Sequence, residues 1–124
     1  MEWIIKTDRP VYIQLMEQIQ QRVLCGEYPL GSRLPSVRDL ASEAEVNPNT
    51  MQKALMELER TGLVYAKRTS GRFITEDEGL VMEMRETIAQ TKMTEFIQEM
   101  EQLGFTVEEI CRILQKIEKE SIGE

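Results

Sequence analysis

Histidine is missing from all 124 residues, and with it the commonest general base of enzyme chemistry. Cysteine occurs twice, at Cys25 and Cys111, with no metal-ligand spacing. Both fall in helical patterns, so both thiols are expected to be buried, and Cys25 has no base to activate it. Neither a GxGxxG run nor a P-loop pattern is present. No stretch approaches the roughly 18 apolar residues of a membrane span, and Glu2 argues against a signal peptide. Internal repeats and low-complexity segments are absent. These absences argue against an enzyme, a metal site, a cofactor and a membrane partner, and they point to the cytoplasm.

What is present is ordinary for a globular chain, 41% hydrophobic and 30% charged. The charge is unevenly divided. Residues 1–75 hold ten Lys/Arg against nine Asp/Glu, a balance of +1, and residues 76–124 hold five against thirteen, a balance of −8. The net −7 therefore belongs to the tail, where a solvated helical face accounts for it. Screening beyond about 8–10 Å makes local charge decisive for contact with an anion. Arg33, Arg38, Lys53, Lys67, Arg68 and Arg72 crowd into forty residues.

The first eight residues read as an extended lead-in. Tyr12, Leu15, Met16, Ile19 and Val23 then recur at helical spacing, with Asp8 a candidate cap, Pro10 in the first turn and Gly26 ending the helix. EYPLGSRLP is turn chemistry. Ser36 followed by Asp39 opens a short helix to about Glu43, and a tight connection leads to VNPNTMQKALMELERTG. Asn47 suits an N-cap, Pro48 the first helical position and Gly62 the C-terminal stop. Met51, Ala54, Leu55 and Leu58 share one face of that helix; Asn49, Gln52, Lys53 and Met56 share the other. Short helix, tight turn, longer helix is helix-turn-helix spacing. Next, β-branched and aromatic residues flank KRTSG, which predicts a hairpin of Leu63–Lys67 and Arg72–Thr75 with a basic tip around Gly71.

From Glu78 the chain is acidic and rich in methionine. Leu80, Met84 and Ile88, then Met93, Phe96, Met100 and Leu103, outline one long helix whose apolar stripe shifts near its middle. Thr106 with Glu109 forms a capping box, and Phe105 is placed to staple against Ile110. Val107, Ile110, Leu114 and Ile117 continue a helix–helix seam. Residues 78–103 span about 39 Å as a helix, too long to bury both stripes on so small a body, and a homodimer through these apolar residues is expected. The fold class is thus mainly α with a small β component: a winged helix-turn-helix over 1–76, then a two-helix dimerisation region over 77–124.

A helix entering a major groove N-terminus first offers its opening turn to base edges, where Asn and Gln pair with adenine and Lys reaches guanine or phosphate. Asn49, Thr50, Gln52 and Lys53 hold those positions. Arg38 and Ser36, at the start of the preceding helix, are placed for phosphate, and a basic wing follows.

Residues 10–75 resemble the winged DNA-binding domain of the GntR family of bacterial transcriptional regulators. The marks are GSRLPSVRDLA, VNPNT, ELERTGL and the glycine-tipped wing. VNPNT and the short tail resemble the YtrA-type branch, whose two-helix C-terminal region implies dimerisation and whose members imply control of transporter operons. The resemblance implies double-stranded DNA as partner, with contacts from Arg38, from Asn47, Pro48, Asn49, Thr50, Gln52 and Lys53, and from Gly71 with its neighbours Lys67, Arg68 and Arg72. Arg33 and Ser36 assist at phosphates. Larger relatives carry a metabolite-binding domain, for which this length leaves no room, and the sequence names no small-molecule effector. There are departures. Glu45 stands where helix-turn-helix motifs commonly have glycine, at a cost of about 1 kcal/mol if its φ is positive. Pro48 replaces a frequent arginine, which shifts base readout to Asn49 and Gln52. The wing reads TSGRFI instead of Gly-x-Gly-Thr-Phe, which makes it stiffer and more cationic.

The expected function is sequence-specific DNA binding by a homodimeric repressor at an inverted repeat. A winged-helix adaptor that binds protein instead of DNA is the alternative.

Overall fold

A computed structural model describes residues 2–121. In chain order it contains α1 (Val11–Leu24), α2 (Val37–Ala44), α3 (Pro48–Thr61), β1 (Val64–Lys67), β2 (Gly71–Ile74), α4 (Glu78–Gln102) and α5 (Val107–Ser121). The chain divides into two compact units between Glu83 and Met84.

In the first unit the period-3.6 stripes read from the sequence become the core. Leu15 and Ile19 of α1, Leu40 of α2, and Met51, Leu55 and Leu58 of α3 are fully buried, as are Leu63, Val64 and Ile74 at the root of the hairpin. The central element is α3, which packs against α1, α2 and β1. Strands β1 and β2 are antiparallel, pairing Val64 with Ile74 and Lys67 with Gly71. The segment read as pure turn contributes a third, short edge. Leu34 N donates to Arg72 O at 2.9 Å, Ile74 N to Ser32 O at 2.8 Å, and Arg33 bridges Phe73. Flanking prolines and Gly31 hide this edge from sequence patterning.

The lead-in has no regular secondary structure over residues 2–6 and bends at 7–9, and amide side chains on one face of α1 hold it. Lys6 N donates to Gln14 Oε1 at 2.7 Å and Ile4 N to Gln18 Oε1 at 2.9 Å. One turn further, the buried Arg22 guanidinium lies 3.8 Å from the centre of the Trp3 ring. Spacing of four residues along α1 makes this a ladder.

Three local readings are corrected. Asp8 does not cap α1; Pro10 holds the N-cap position without a side-chain bond, and Gln14 Nε2 reaches back to the Lys6 and Arg9 carbonyls instead. Cys25 and Cys111 are both exposed. Cys25 is the C-cap of α1, past its buried stripe, and Cys111 is one step round the helix from the buried Ile110. Leu80, assigned to the tail, belongs to the first unit: its Cδ2 lies 3.5 Å from where a Cβ on Gly62 would sit.

In the second unit, Gly104 (φ 95°) closes α4, and Thr106 and Glu109 form the capping box. Glu109 N donates to Thr106 Oγ1 at 3.2 Å, and Thr106 N donates to Glu109 Oε1 at 2.9 Å. That bond from the Thr106 backbone, followed by the one from its hydroxyl, holds the Glu109 carboxyl below its usual range. Ile110 is buried within the chain and so is not offered to a partner, in contrast to its assignment to the seam. Met84, Ile88 and Met100 are half-buried. Met93, Phe96, Leu103, Val107, Leu114 and Ile117 are exposed. Among the described residues no helix is long and apolar enough to cross a membrane, and no cluster of His, Cys, Asp or Glu could hold a metal ion.

Candidate nucleic-acid interface

The helix-turn-helix is fixed by its caps. Ser36 Oγ accepts from Asp39 N at 3.1 Å and starts α2, leaving Arg38 exposed on the first turn. At the other end Glu45 adopts φ 56°, ψ 48°, the left-handed conformation suspected from its place in the motif. Val46 N then donates to Ala41 O at 3.0 Å, closing α2. Asn47 is the extended N-cap of α3, its Oδ1 accepting from Asn49 N at 2.7 Å, with Pro48 in the first turn. Asn47 Oδ1 is thereby committed to the helix, and its amide N–H groups are what it can offer a ligand.

The buried and open faces of α3 separate as the spacing demands. Met51, Ala54, Leu55 and Leu58 point into the core. Asn49, Lys53 and Met56 are exposed, and Thr50 and Gln52 are half-buried. The opening turn thus carries two amides, a hydroxyl and an ammonium group on a surface its own unit does not cover. Lys53 has a partner that sequence reading missed: its Nζ lies 4.0 Å from the centre of the Tyr12 ring on α1, a cation–π contact that holds the side chain down. No local pattern links positions 12 and 53.

The wing is stiffened along its length. Tyr65 and Phe73 stack with centroids 5.8 Å apart, and Lys67 Nζ lies 4.9 Å from the Phe73 ring centre. Lys67 and Arg68 are exposed at the tip. Gly71, at φ 103°, is also a point of close approach: a Cβ there would stand 3.2 Å from Arg33 Nε. Glycine therefore lets the Arg33 guanidinium lie against the wing, joining two expected phosphate-binding residues far apart in sequence. Arg72 stands differently. Its Nε donates to Glu59 Oε2 at 2.6 Å, so it is engaged with α3.

Residues 11–74 match the family model described as bacterial regulatory proteins, gntR family. YhcF of Bacillus subtilis (strain 168), described as an uncharacterized HTH-type transcriptional regulator, is 37% identical over 105 residues, 85% of this chain and 87% of its own length. The HTH-type transcriptional repressor YtrA of the same organism is 36% identical over 98 residues, 79% of this chain and 71% of its own. Among solved structures, a GntR family transcriptional regulator from Listeria monocytogenes matches with a TM-score of 0.86 at 37% identity, covering 90% of this chain and 98% of that one.

Proposed function

The chain belongs to the gntR family of bacterial regulatory proteins, as a YtrA-like, DNA-binding regulator of transcription, and from that premise we propose that it is a repressor that grips an inverted-repeat operator as a homodimer. The observation that carries the reading is the uncovered first turn of α3, with Asn49, Thr50, Gln52 and Lys53, in the same compact unit as the exposed cations Lys67 and Arg68. Amides read bases; cations hold the phosphate rail. Arg38, Ser36, Arg33 and Gly71 are the further backbone contacts. The regulator works in the cytoplasm, where its DNA lies.

Dimerisation is supported by α5, whose Val107, Leu114 and Ile117 are 49%, 47% and 52% exposed at a spacing that lines one side of the helix. Covering the exposed half of such a side chain is worth about 1 kcal/mol, a standing drive toward association. A two-fold dimer presents two recognition helices, and a palindromic site mirrors that symmetry.

Selection of bound duplexes from a random DNA pool tests the proposal. Enrichment of an inverted repeat with half-sites about one helical turn apart is expected. Affinity should fall steeply with salt, as phosphate contacts require. A pool that emerges unenriched ends the regulator reading.

A further inference from the structure

We infer that Glu59 and Arg72 form a clasp that sets the wing against the recognition helix, so that both are positioning residues for DNA binding and Arg72 is not a phosphate contact. The inference rests on the DNA-binding reading above and adds to it how this chain's unusual wing is aimed.

The hairpin needs aiming. Its strands are four residues each and leave α3 through only Gly62 and Leu63. Such a ribbon is marginal alone. Leu63, Val64 and Ile74 anchor its root in the core, but the tip lies beyond them. Arg72, two residues further out on β2, reaches back to the last turns of α3 and meets Glu59 at 2.6 Å. The two side chains are only 18% and 30% exposed, so the pair is partly removed from screening water. The Arg72 backbone is fastened as well, its carbonyl accepting from Leu34 N. One residue thus joins α3, β2 and the 31–34 edge.

The pair also settles a charge problem. Glu57 and Glu59 place two carboxylates on the helix that must approach phosphates. Arg60 lies 3.2 Å from Glu57, and Arg72 compensates Glu59. An Arg72 that left Glu59 to grip a phosphate would expose that carboxylate to the DNA.

The two roles differ in the sign of one measurement. Removing the Glu59 charge should tighten binding if Arg72 is a phosphate contact, and weaken it if Arg72 is a clasp. The full-length protein is titrated by fluorescence anisotropy against a labelled duplex from the random-pool selection, over a range of salt. Glu59→Gln and Arg72→Gln are each expected to weaken binding by about tenfold, the double variant no more than either alone. The slope of log K against log salt should stay at the wild-type value. The charge swap, Glu59→Arg with Arg72→Glu, should recover most of the affinity. Tighter binding by Glu59→Gln, or a slope reduced by about 0.9 in Arg72→Gln, makes Arg72 a phosphate contact and overturns the clasp.

Amide exchange in the DNA-free protein separates this inference from the regulator reading. A clasp predicts faster exchange at Leu34 and along the hairpin in Glu59→Gln, with α1 unchanged. Unaltered hairpin exchange, or loosening that spreads through α1, overturns the positioning role. A wild-type protein that binds no duplex overturns the regulator reading, and the clasp then stands or falls on the exchange result.

Discussion

The two units of this protein treat their apolar residues in opposite ways. In the first, Leu15, Ile19, Leu40, Met51, Leu55 and Leu58 are sealed inside, and the opening turn of α3 is left with amide, hydroxyl and ammonium groups, with Met56 the exposed apolar side chain on that helix. In the second, the long α4 and the amphipathic α5 leave Met93, Phe96, Leu103, Val107, Leu114 and Ile117 in water. One unit has finished its folding and keeps a polar face for a polar ligand. The other keeps an apolar face, which is stable only when something apolar covers it. The proposed reading face and the proposed assembly surface thus carry opposite signatures.

The sharpest break of that contrast is a pair of matched truncations. Leu58→Ala should destabilise the first unit by about 2–5 kcal/mol, a large share of the roughly 5–15 kcal/mol a domain possesses. Leu114→Ala should leave the unfolding of that unit where it was. Urea denaturation monitored by the Tyr65 and Trp3 environments checks both, and equal losses would erase the distinction between the units. Next in size, Leu114→Asp with Ile117→Asp should raise the dimer dissociation constant by about 100-fold or more, since association would bury carboxylates. Sedimentation across concentrations reads this, with circular dichroism confirming intact helices; an unchanged sedimentation profile places the contact elsewhere.

Smaller effects test the caps. Glu45→Gly removes a side chain from the left-handed turn and should stabilise the first unit by about 1 kcal/mol, visible as a raised melting temperature. A loss of stability would mean the Glu45 side chain helps hold the turn. The smallest expected effect belongs to Glu109. Its pKa is depressed in the folded chain, so its support for the start of α5 is complete above the ordinary glutamate value and fades as pH falls through the lowered one. The Thr106 amide resonance should follow that acid titration, and Glu109→Gln should flatten it.

What the sequence discloses follows contact distance. The Ser36 and Asn47 caps, the Glu45 turn, the Gly62 stop and the Thr106–Glu109 box join residues within a few positions, where backbone chemistry alone decides the outcome. Periodicity revealed the α3 core face for the same reason: a helix presents every third or fourth residue to one side. Lys53 on Tyr12, Arg33 beside Gly71 and Arg72 on Glu59 escaped, because each joins different elements. Arg72 is the instructive case. Counted by composition it is one more cation at a basic tip; seen against α3 it is already engaged.

Local order alone therefore fixed where α2, α3 and α5 begin and where α3 stops, which side of α3 is greasy, and that a basic hairpin follows it, since these depend on propensity, capping and spacing over a turn or two. Tertiary packing decided which charges remain available, which thiols meet water, where the first unit ends within α4, and that residues 31–34 add an edge to the wing. Those outcomes depend on which distant side chains are brought within a few ångströms of each other, and only the folded chain sets that distance.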